Sequence, residues 1–551
     1  MEINPIIIQL LKNRGIDSEE EMLEFLSDKP QKTYDPFLLP DMEAGVDLIL
    51  AEIKAGSRIC IYGDYDADGI TSTALMMDVL RKLTTDDKLG YYIPSRFEEG
   101  YGLNMEAIKT IADSGADFII TVDCGSVSYE EARYARELGM RILVTDHHNI
   151  TDVMADCLLI NPKHPKSQYP FKALSGCGVA FKVAQGIQQK AGLPKSVLTE
   201  VLDLVAIGTI GDIMPLIDEN RTMTKFGMRV INSGRRKGLT KLIEGASLKK
   251  GSVSSENISY IVVPHLNATG RIDDASQAGE LLCRDLNDRE QDRIVEDILK
   301  KNRLRKNLQD ETFRACAENI DKDDLQDIII IKADGAHEGI TGIVAGKIKE
   351  TYYRPTIIVT PSGEDDRYLK GTGRSVEGVN LYQLLKTQEN LFEKFGGHSG
   401  ACGFLIKKEY FDQLKEGLLK EMSLIRRQDS NIFERKYTVD LNLDEEDLTL
   451  ALAQQFELLA PFGSKNRKPS IELDNTIISD VRYMGDRQQH ARFSAQSSAS
   501  GAKIQCVLFG RAQDVDLSGN PACLIGNLDL QVWQGAKRLQ FMVEEIRRNT
   551  V

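Results

Sequence analysis

The sequence predicts an α/β protein built from a doubly wound parallel-sheet domain, a long linking helix, a second and smaller α/β domain, and a C-terminal β-barrel. Three observations carry this. Short, fully apolar runs alternate with apolar-periodic segments from Arg58 to Ile213, as parallel strands buried on both faces alternate with their crossover helices. Glu280–Lys306 is long, amphipathic and free of Gly and Pro, which reads as a linking helix. From about Lys436 the alternation gives way to short strand-like runs separated by turn signals. A chain of 551 residues exceeds what one core supports. The divisions expected are a helical cap at 1–50, a parallel-sheet domain at 51–275, the linking helix at 276–320, the second α/β domain at 321–430 and the barrel at 431–551.

In chain order, the cap takes helices around Ile6–Leu11 and Glu19–Leu26, then the Pro-rich bend DPFLLPDM and a helix at Ala44–Ala55. The first buried strand is Ile59–Tyr62, followed by Asp64, Asp66 and Asp68 in a tight loop and a helix expected from Ser72 to about Leu83. Further strands are read at Tyr91–Pro94, Asp117–Thr121 and Arg141–Val144, with helices at Glu106–Ser114 and Tyr129–Leu138 between them. Val201–Ile213 reads as a helix that delivers Asp212. LNATGRIDDA (266–275) is expected to interrupt the charged helices of 220–310. The second α/β unit opens with Asp327–Lys332 and continues through a Gly-rich turn into a helix, a strand at RPTIIVT, and KFGGHSGACGFLI (394–406). The barrel strands are expected at Tyr437–Leu441, Ser470–Leu473, Ile504–Leu508, Leu524–Leu530 and Gln540–Val543. Five strands of this kind suit a barrel that grips single-stranded nucleic acid, although its aromatics are few: Phe493, Phe509, Trp533 and Phe541.

Position gives the strand ends their meaning. Asp66 and Asp68 follow one strand, Asp123 a second, and Asp146, His147 and His148 a third. In an open parallel sheet these ends lie on one edge, where ligands bind. Asp212 arrives from a fourth segment, and the chain's one adjacent histidine pair, among seven histidines, falls at this edge. Carboxylates crowded together need a cation or full solvation. An acidic, solvated turn explains Asp64–Asp68 alone, but not the convergence. Oxygen ligands with one or two imidazoles suit Mn²⁺ or Mg²⁺ better than Zn²⁺. Two such ions at roughly 3.5–4 Å clamp the attacking and leaving oxygens in phosphoryl chemistry.

Composition narrows the class. No apolar run is long enough to span a bilayer, so no membrane partner is expected. The start, MEINPIIIQLLKNRG, shows neither a basic leader nor a small-residue cleavage site, so no signal peptide is expected. Nine scattered cysteines without a C-x-x-C pair suggest free thiols in the cytoplasm. A net charge of −14 argues against a protein coated for duplex DNA. Local basic clusters remain at Arg235–Lys237, Lys301–Lys306, Arg426–Arg427, Lys465–Lys468 and Arg547–Arg548.

GDYDADGITSTAL (63–75), TVDCG (121–125), TDHH (145–148), GTIGDIMPL (208–216) and LNATGR (266–271) together resemble the ordered motifs of the DHH phosphoesterase superfamily, and within it the RecJ exonucleases. HEGITGIVAGKIKE, GRSVEGVNLYQLL and GGHSGACG resemble the DHHA1 substrate-binding domain, and LLAPFGSKNRKPSI (458–471) resembles the segment opening the RecJ OB-like barrel. The match runs over nearly the whole chain. The chain departs from small superfamily members at Tyr62, where they often carry a His, and RecJ-like chains share that departure. Ala336 and the Ser-Gly-Ala-Cys of GGHSGACG also depart from the commoner forms, which bears on end binding.

The resemblance implies a single-stranded-DNA-specific 5′→3′ exonuclease of DNA repair and recombination that releases 5′-mononucleotides with two divalent ions, Mn²⁺ or Mg²⁺. It makes Asp66, Asp68, Asp123, His147 and Asp212 metal ligands, and sets His148 against the scissile phosphate. Asp64 and Asp146 become further ligands or groups that orient ligands, and Asp146 is counted with His148 as catalytic. Arg271 would contact a backbone phosphate, while Arg374, Ser375, Gly396, Gly397 and His398 would hold the nucleotide near the 5′ end. Water would attack phosphorus in line with the departing 3′ oxygen. Implied partners are single-stranded DNA, a helicase and a single-strand-binding protein, with the enzyme itself a monomer. The alternatives are a DHH phosphodiesterase for short oligonucleotides and a non-catalytic replication scaffold; the scaffold reading predicts missing ligands, whereas all are present.

Overall fold

The computed structural model describes residues 3–548 apart from 30–32, 97–98, 101, 274, 285, 364, 487, 514, 516, 518–520 and 534–535. Its first sheet holds β1 (Ile59–Tyr62), β2 (Leu89–Tyr92), β3 (Phe118–Val122), β4 (Arg141–Thr145) and β5 (Leu158–Ile160). The order is β2-β1-β3-β4-β5, parallel throughout. The chain steps from β1 outward to β2, then crosses back to β3. The switch point therefore lies between the carboxyl ends of β1 and β3, where this class of sheet opens a crevice. The three-residue β5 is too short to show a pattern in the sequence.

The helix after β1 spans Ala67–Leu80, not Ser72 onward. Asp66 caps it, its Oδ1 accepting from Asp68 N at 2.9 Å and Gly69 N at 3.1 Å. The three acids are thus not one loop: Asp64 sits in the turn, Asp66 at the cap and Asp68 in the first helical turn. LNATGR does not interrupt the helices either; it occupies most of the Val263–Ile272 helix, which runs on without a break from a π-helical turn at Ile258–Val262. The linker expected at 276–320 is a short helix, Ser276–Cys283, followed by one 31-residue helix, Asp288–Glu318, started by an Asn287–Glu290 capping box.

The second sheet contains β6 (Ile329–Lys332), β7 (Thr356–Pro361), β8 (Tyr368–Arg374), β9 (Phe392–His398) and β10 (Ala401–Lys407). They lie in the order β6-β7-β8-β10-β9, with β6 and β7 parallel and the others antiparallel. The third sheet contains the short β11 (Leu441–Asn442) and β12 (Ile471–Met484), β13 (His490–Ser497), β14 (Lys503–Leu508), β15 (Ala522–Trp533) and β16 (Ala536–Arg548). β15 pairs with both β16 and β12, which closes five strands into a barrel. The strand expected at Tyr437–Leu441 shrinks to Leu441–Asn442. β13 carries no strand signal in the sequence because HARFSAQS lacks a β-branched run, although Ala491, Phe493 and Ala495 point inward. Phe493 and Phe541 fill the barrel core while Phe509 is exposed; the side chain of Trp533 lies outside the described residues.

Residues 1–50 do not form one cap. The Pro5–Asn13 and Glu19–Leu26 helices bury Ile7, Leu10, Leu11, Met22 and Leu26 in one core with barrel residues Ile471, Phe493 and Phe541. The Met42–Ala55 helix instead packs Met42, Val46 and Ile49 into the parallel-sheet core. Arg14 secures the first attachment, pairing with Asp440 at 3.2 Å and bonding Asn466 Oδ1 at 3.1 Å.

Candidate metal centre

The acids meet at the switch point. Asp64 is nearly fully buried behind β1. Asp68 lies under the N-terminus of the Gly176–Ala191 helix and accepts from Gly176 N at 2.6 Å and Cys177 N at 3.0 Å, where the helix dipole favours a carboxylate. A side chain at Gly176 would come within 2.4 Å of Asp123 Oδ1, and one at Gly208 within 2.4 Å of Asp68 Oδ1, so both motifs need glycine for the approach. Asp123 turns the chain after β3 with φ 62°, a left-handed conformation that costs of order 1 kcal/mol or more outside glycine. Asp212 is the C-cap of the Leu202–Gly211 helix, its side chain 30% exposed.

His147 sits at the centre. Its Nε2 lies 3.1 Å from Asp123 Oδ1, 3.5 Å from Asp212 Oδ2 and 4.0 Å from Asp68 Oδ2. Two triads of ligand atoms result: Asp68–His147–Asp212, and Asp64–Asp66–Asp123, each with its atoms within 4.8 Å of one another. Both nitrogens of His147, Asp64 Oδ1, Asp123 Oδ1 and Asp212 Oδ2 are buried without hydrogen-bond partners. Buried polar atoms are otherwise almost always paired. Lone pairs of oxygen and neutral imidazole aimed at each other fit two hard divalent cations.

The electrostatics agree. Burial, then the Asp66 charge, pushes the Asp68 carboxyl up to about 7. Burial, then Asp68 and Asp66, pushes Asp212 up to about 8. Asp123 and Asp64 are raised well above the usual carboxylate range, chiefly by burial and then by neighbouring acids. Burial and the charge of His148 lower His147 to about 3, which keeps its imidazole neutral.

Asp146 behaves differently. It falls among a group of possible ligands with Asp123, His147 and His148, but its oxygens are spoken for. Oδ1 accepts from His147 N at 2.7 Å and His148 N at 3.1 Å and meets His148 Nδ1 at 2.8 Å; Oδ2 accepts from Ser126 N at 2.9 Å. Burial opposes its charge, yet these bonds and the His148 charge hold it well below its usual pKa. His148 is raised in turn: burial lowers it, and the bond to Asp146 more than offsets that. Its ring is 44% exposed at the mouth of the cluster.

Sequence reasoning missed Lys163. It stands just beyond β5, its N–H bonded to Asn161 Oδ1 at 2.8 Å, while Asn161 Nδ2 bonds Ser126 Oγ at 2.8 Å and His148 O at 3.0 Å. Burial lowers its pKa against the pull of Asp146 and Asp212. Only recognition of the unseen β5 could have brought it to this edge.

Guanidinium groups gather at the junction of the two α/β units, Arg271 from the first and Arg374 from the second. Arg271 Nη1 donates to Gly339 O at 3.3 Å, across the junction of the two α/β units. Arg374 ends β8 opposite Ala401, which pairs with His398 on β9, so three strands align Arg374, Ala401 and His398 in one row. Ser375 Oγ donates to Val379 O at 2.8 Å, and its N–H to Gly400 O at 3.0 Å, so the hydroxyl serves the turn. Gly396, Gly397 and His398 lie exposed in a β-hairpin, not a loop turn, with His398 Nδ1 accepting from Gly400 N at 3.2 Å. Burial, then the charges of Arg96, Arg305 and Arg374, lowers Arg271 to about 10. Sequence reasoning also missed Arg96 and Arg305. Each is one arginine in a charged stretch, and only the fold brings them to Arg271.

Ligand triads at the switch point of a parallel sheet, with guanidinium groups gathered at the junction with a second α/β unit, define a protein of the DHH family. Residues 58–209 match the DHH family, N-terminal domain; 326–424 match the DHHA1 domain; 439–545 match the RecJ OB domain. The single-stranded-DNA-specific exonuclease RecJ of Bacillus subtilis is 34% identical, covering 99% of this chain and 68% of its own length. That of Escherichia coli is 30% identical, covering 99% of this chain and 96% of its own. Among solved structures, RecJ from Thermus thermophilus in complex with Mn²⁺ superposes with a TM-score of 0.84 at 25% identity, over 100% of this chain and 76% of that one. The chain belongs to the RecJ family.

Proposed function

We propose that this protein is a single-stranded-DNA-specific exonuclease that hydrolyses phosphodiesters from the 5′ end and releases 5′-mononucleotides. The observation that carries the reading is the pair of ligand triads joined at Asp123 and His147, whose buried lone pairs lack partners. Relatives named for this activity span the chain end to end.

Asp68, His147 and Asp212 would hold one divalent ion and Asp64, Asp66 and Asp123 the other, Mn²⁺ or Mg²⁺. Bound there, the ions neutralise phosphate charge and lower the pKa of water for attack. The rest falls to side chains. Asp146 fixes the imidazole of His148, which donates to a non-bridging oxygen of the scissile phosphate. Arg271, Arg374 and Arg96 neutralise the phosphate at the strand's end, with His398 and the open backbone of Gly396 and Gly397 against its nucleotide. The closed barrel holds the strand that follows. We further infer a cytoplasmic monomer, acting on strands opened by a helicase and covered by a single-strand-binding protein; its nine unpaired cysteines, eight of them buried, support a reducing compartment. No described helix is long and apolar enough to cross a membrane.

The test uses single-stranded DNA labelled at either end, with Mn²⁺ or Mg²⁺, for wild type and Asp123→Ala. Early release of a labelled mononucleotide from the 5′ label alone, lost in the variant, supports the reading. Turnover of very short oligonucleotides only would replace it with the phosphodiesterase alternative.

A further inference from the structure

Tyr65 stands between two metal-centre residues, Asp64 and Asp66. The guanidinium of Arg96 lies over the Tyr65 ring, 5.4 Å from its centroid, within the range of a cation–π contact. Arg96 comes from the segment after β2, which Glu99 ties down by accepting from Tyr92 Oη at 2.8 Å and Ser95 N at 2.6 Å. On the other side the helix carrying Arg271 presses against Tyr65. A Cβ at Gly270 would lie 3.0 Å from Tyr65 O and 3.5 Å from Tyr65 Cβ, a tight approach that glycine eases. Asn267 Oδ1 accepts from Ala67 N at 2.7 Å and fastens that helix to the metal loop. A Cβ at Gly339 would lie 2.1 Å from Arg271 O, so the second unit docks on the same spot.

Arg96, Arg271 and Arg374 therefore converge, and none makes an ion pair with a described residue. Half-buried like charges gathered without an ion pair call for an anion. On the reading of the previous subsection, which this inference extends, that anion is the terminal phosphate of the strand.

We propose that Tyr65 is a positioning residue: its ring fixes Arg96 against the terminal phosphate and so sets the strand's end at a constant distance from the metal ligands on either side of Tyr65. The device explains why an aromatic ring stands among acids. The aromatic face is what the role needs.

The experiment compares wild type, Tyr65→Phe, Tyr65→Leu and Arg96→Ala on single-stranded DNA bearing a 5′-phosphate or a 5′-hydroxyl. The readout is the ratio of kcat/KM for the two ends, with Mn²⁺ affinity measured by calorimetry on each protein. Wild type and Tyr65→Phe are expected to favour the phosphate to a similar degree. Tyr65→Leu is expected to lose about tenfold of that preference, as Arg96→Ala does, with Mn²⁺ affinity unchanged; combining the two changes adds no further loss. A Tyr65→Leu enzyme that keeps the preference, or loses Mn²⁺ affinity in parallel, overturns the inference, as does a wild type indifferent to the phosphate. A wild type that hydrolyses neither strand overturns the nuclease reading alone, because the same ratio is then taken from equilibrium binding of the two oligonucleotides.

Discussion

His147 Nε2 and Asp123 Oδ1 lie 3.1 Å apart, and neither atom has a hydrogen-bond partner. Asp123 is crowded by Asp68, Asp66 and Asp64 after burial has already raised its pKa. Replacing its charge while keeping its volume therefore relieves the metal-free protein. Asp123→Asn is expected to lose at least about a hundredfold in nuclease rate, as loss of a group supporting a metal does. Its Tm in EDTA should be no lower than wild type, and its gain in Tm with Mn²⁺ should shrink. Thermal unfolding with and without Mn²⁺ checks both; a large drop in EDTA would show Asp123 to be structural.

The raised carboxyls make the metal-free protein sensitive to pH. Asp68 and Asp212, pushed up to about 7 and about 8, bind protons more tightly folded than unfolded. The folded state then holds more protons between the unfolded pKa near 3.9 and those values, so their contribution is present at low pH and lost as pH rises through about 8. Cations take over the protons' place. Mn²⁺ binding should release protons between pH 6 and 8 and tighten as pH rises. Calorimetry in buffers of different ionisation enthalpy counts those protons. An uptake independent of pH over this range would remove the argument.

Asp146 and the ligands separate cleanly by experiment. Its oxygens are engaged by Ser126, His147 and His148. Asp146→Asn is expected to slow hydrolysis by about 10- to 100-fold, the usual cost of an orienting partner, with Mn²⁺ affinity close to wild type. An affinity loss as large as that of Asp68→Asn would make Asp146 a ligand instead.

Arg221 joins three parts of the chain. It donates to Leu459 O at 2.8 Å and Phe25 O at 3.3 Å, and its guanidinium lies 3.9 Å from the Phe25 ring centroid. Burial lowers its pKa to about 10. Arg221→Met removes the donor to Phe25 O and one of two donors to Leu459 O, which Asn466 Nδ2 still reaches at 2.9 Å, at a cost of about 1–3 kcal/mol. Hydrogen exchange should report the loss around Phe25 and Leu459 first, before the parallel sheet. Uniform loosening of all three sheets would contradict a junction role.

The sequence disclosed the centre better than its surroundings. Strands β1, β3 and β4 are continuous apolar runs, so their ends, and with them Asp123 and His147, fall on one edge. Asp66 reads as a loop residue because its capping bonds to Asp68 and Gly69 depend on helix geometry. β5 and β13 lack a pattern, one by shortness and the other by small residues, and Lys163 is lost with β5. Arg96 carries no local signal and Arg305 only that of the basic cluster Lys301–Lys306; both matter because tertiary packing sets them beside Arg271. The linking helix runs past Lys306 because its polar continuation to Glu318 still holds helical geometry.

The first two helices have a consequence for how the chain is made. Asn4 N–H bonds Gln455 Oε1, a partner 451 residues later. At about 5–20 residues per second, a ribosome exposes Ile7, Leu10 and Leu11 well before it finishes the barrel that covers them. Those leucines wait in an unfinished molecule while the catalytic sheet assembles. The barrel, once complete, gathers both distant stretches into one core, apart from that of the parallel sheet. Synthesis order thus closes this barrel after the parallel sheet, so the metal centre is built before the barrel is complete.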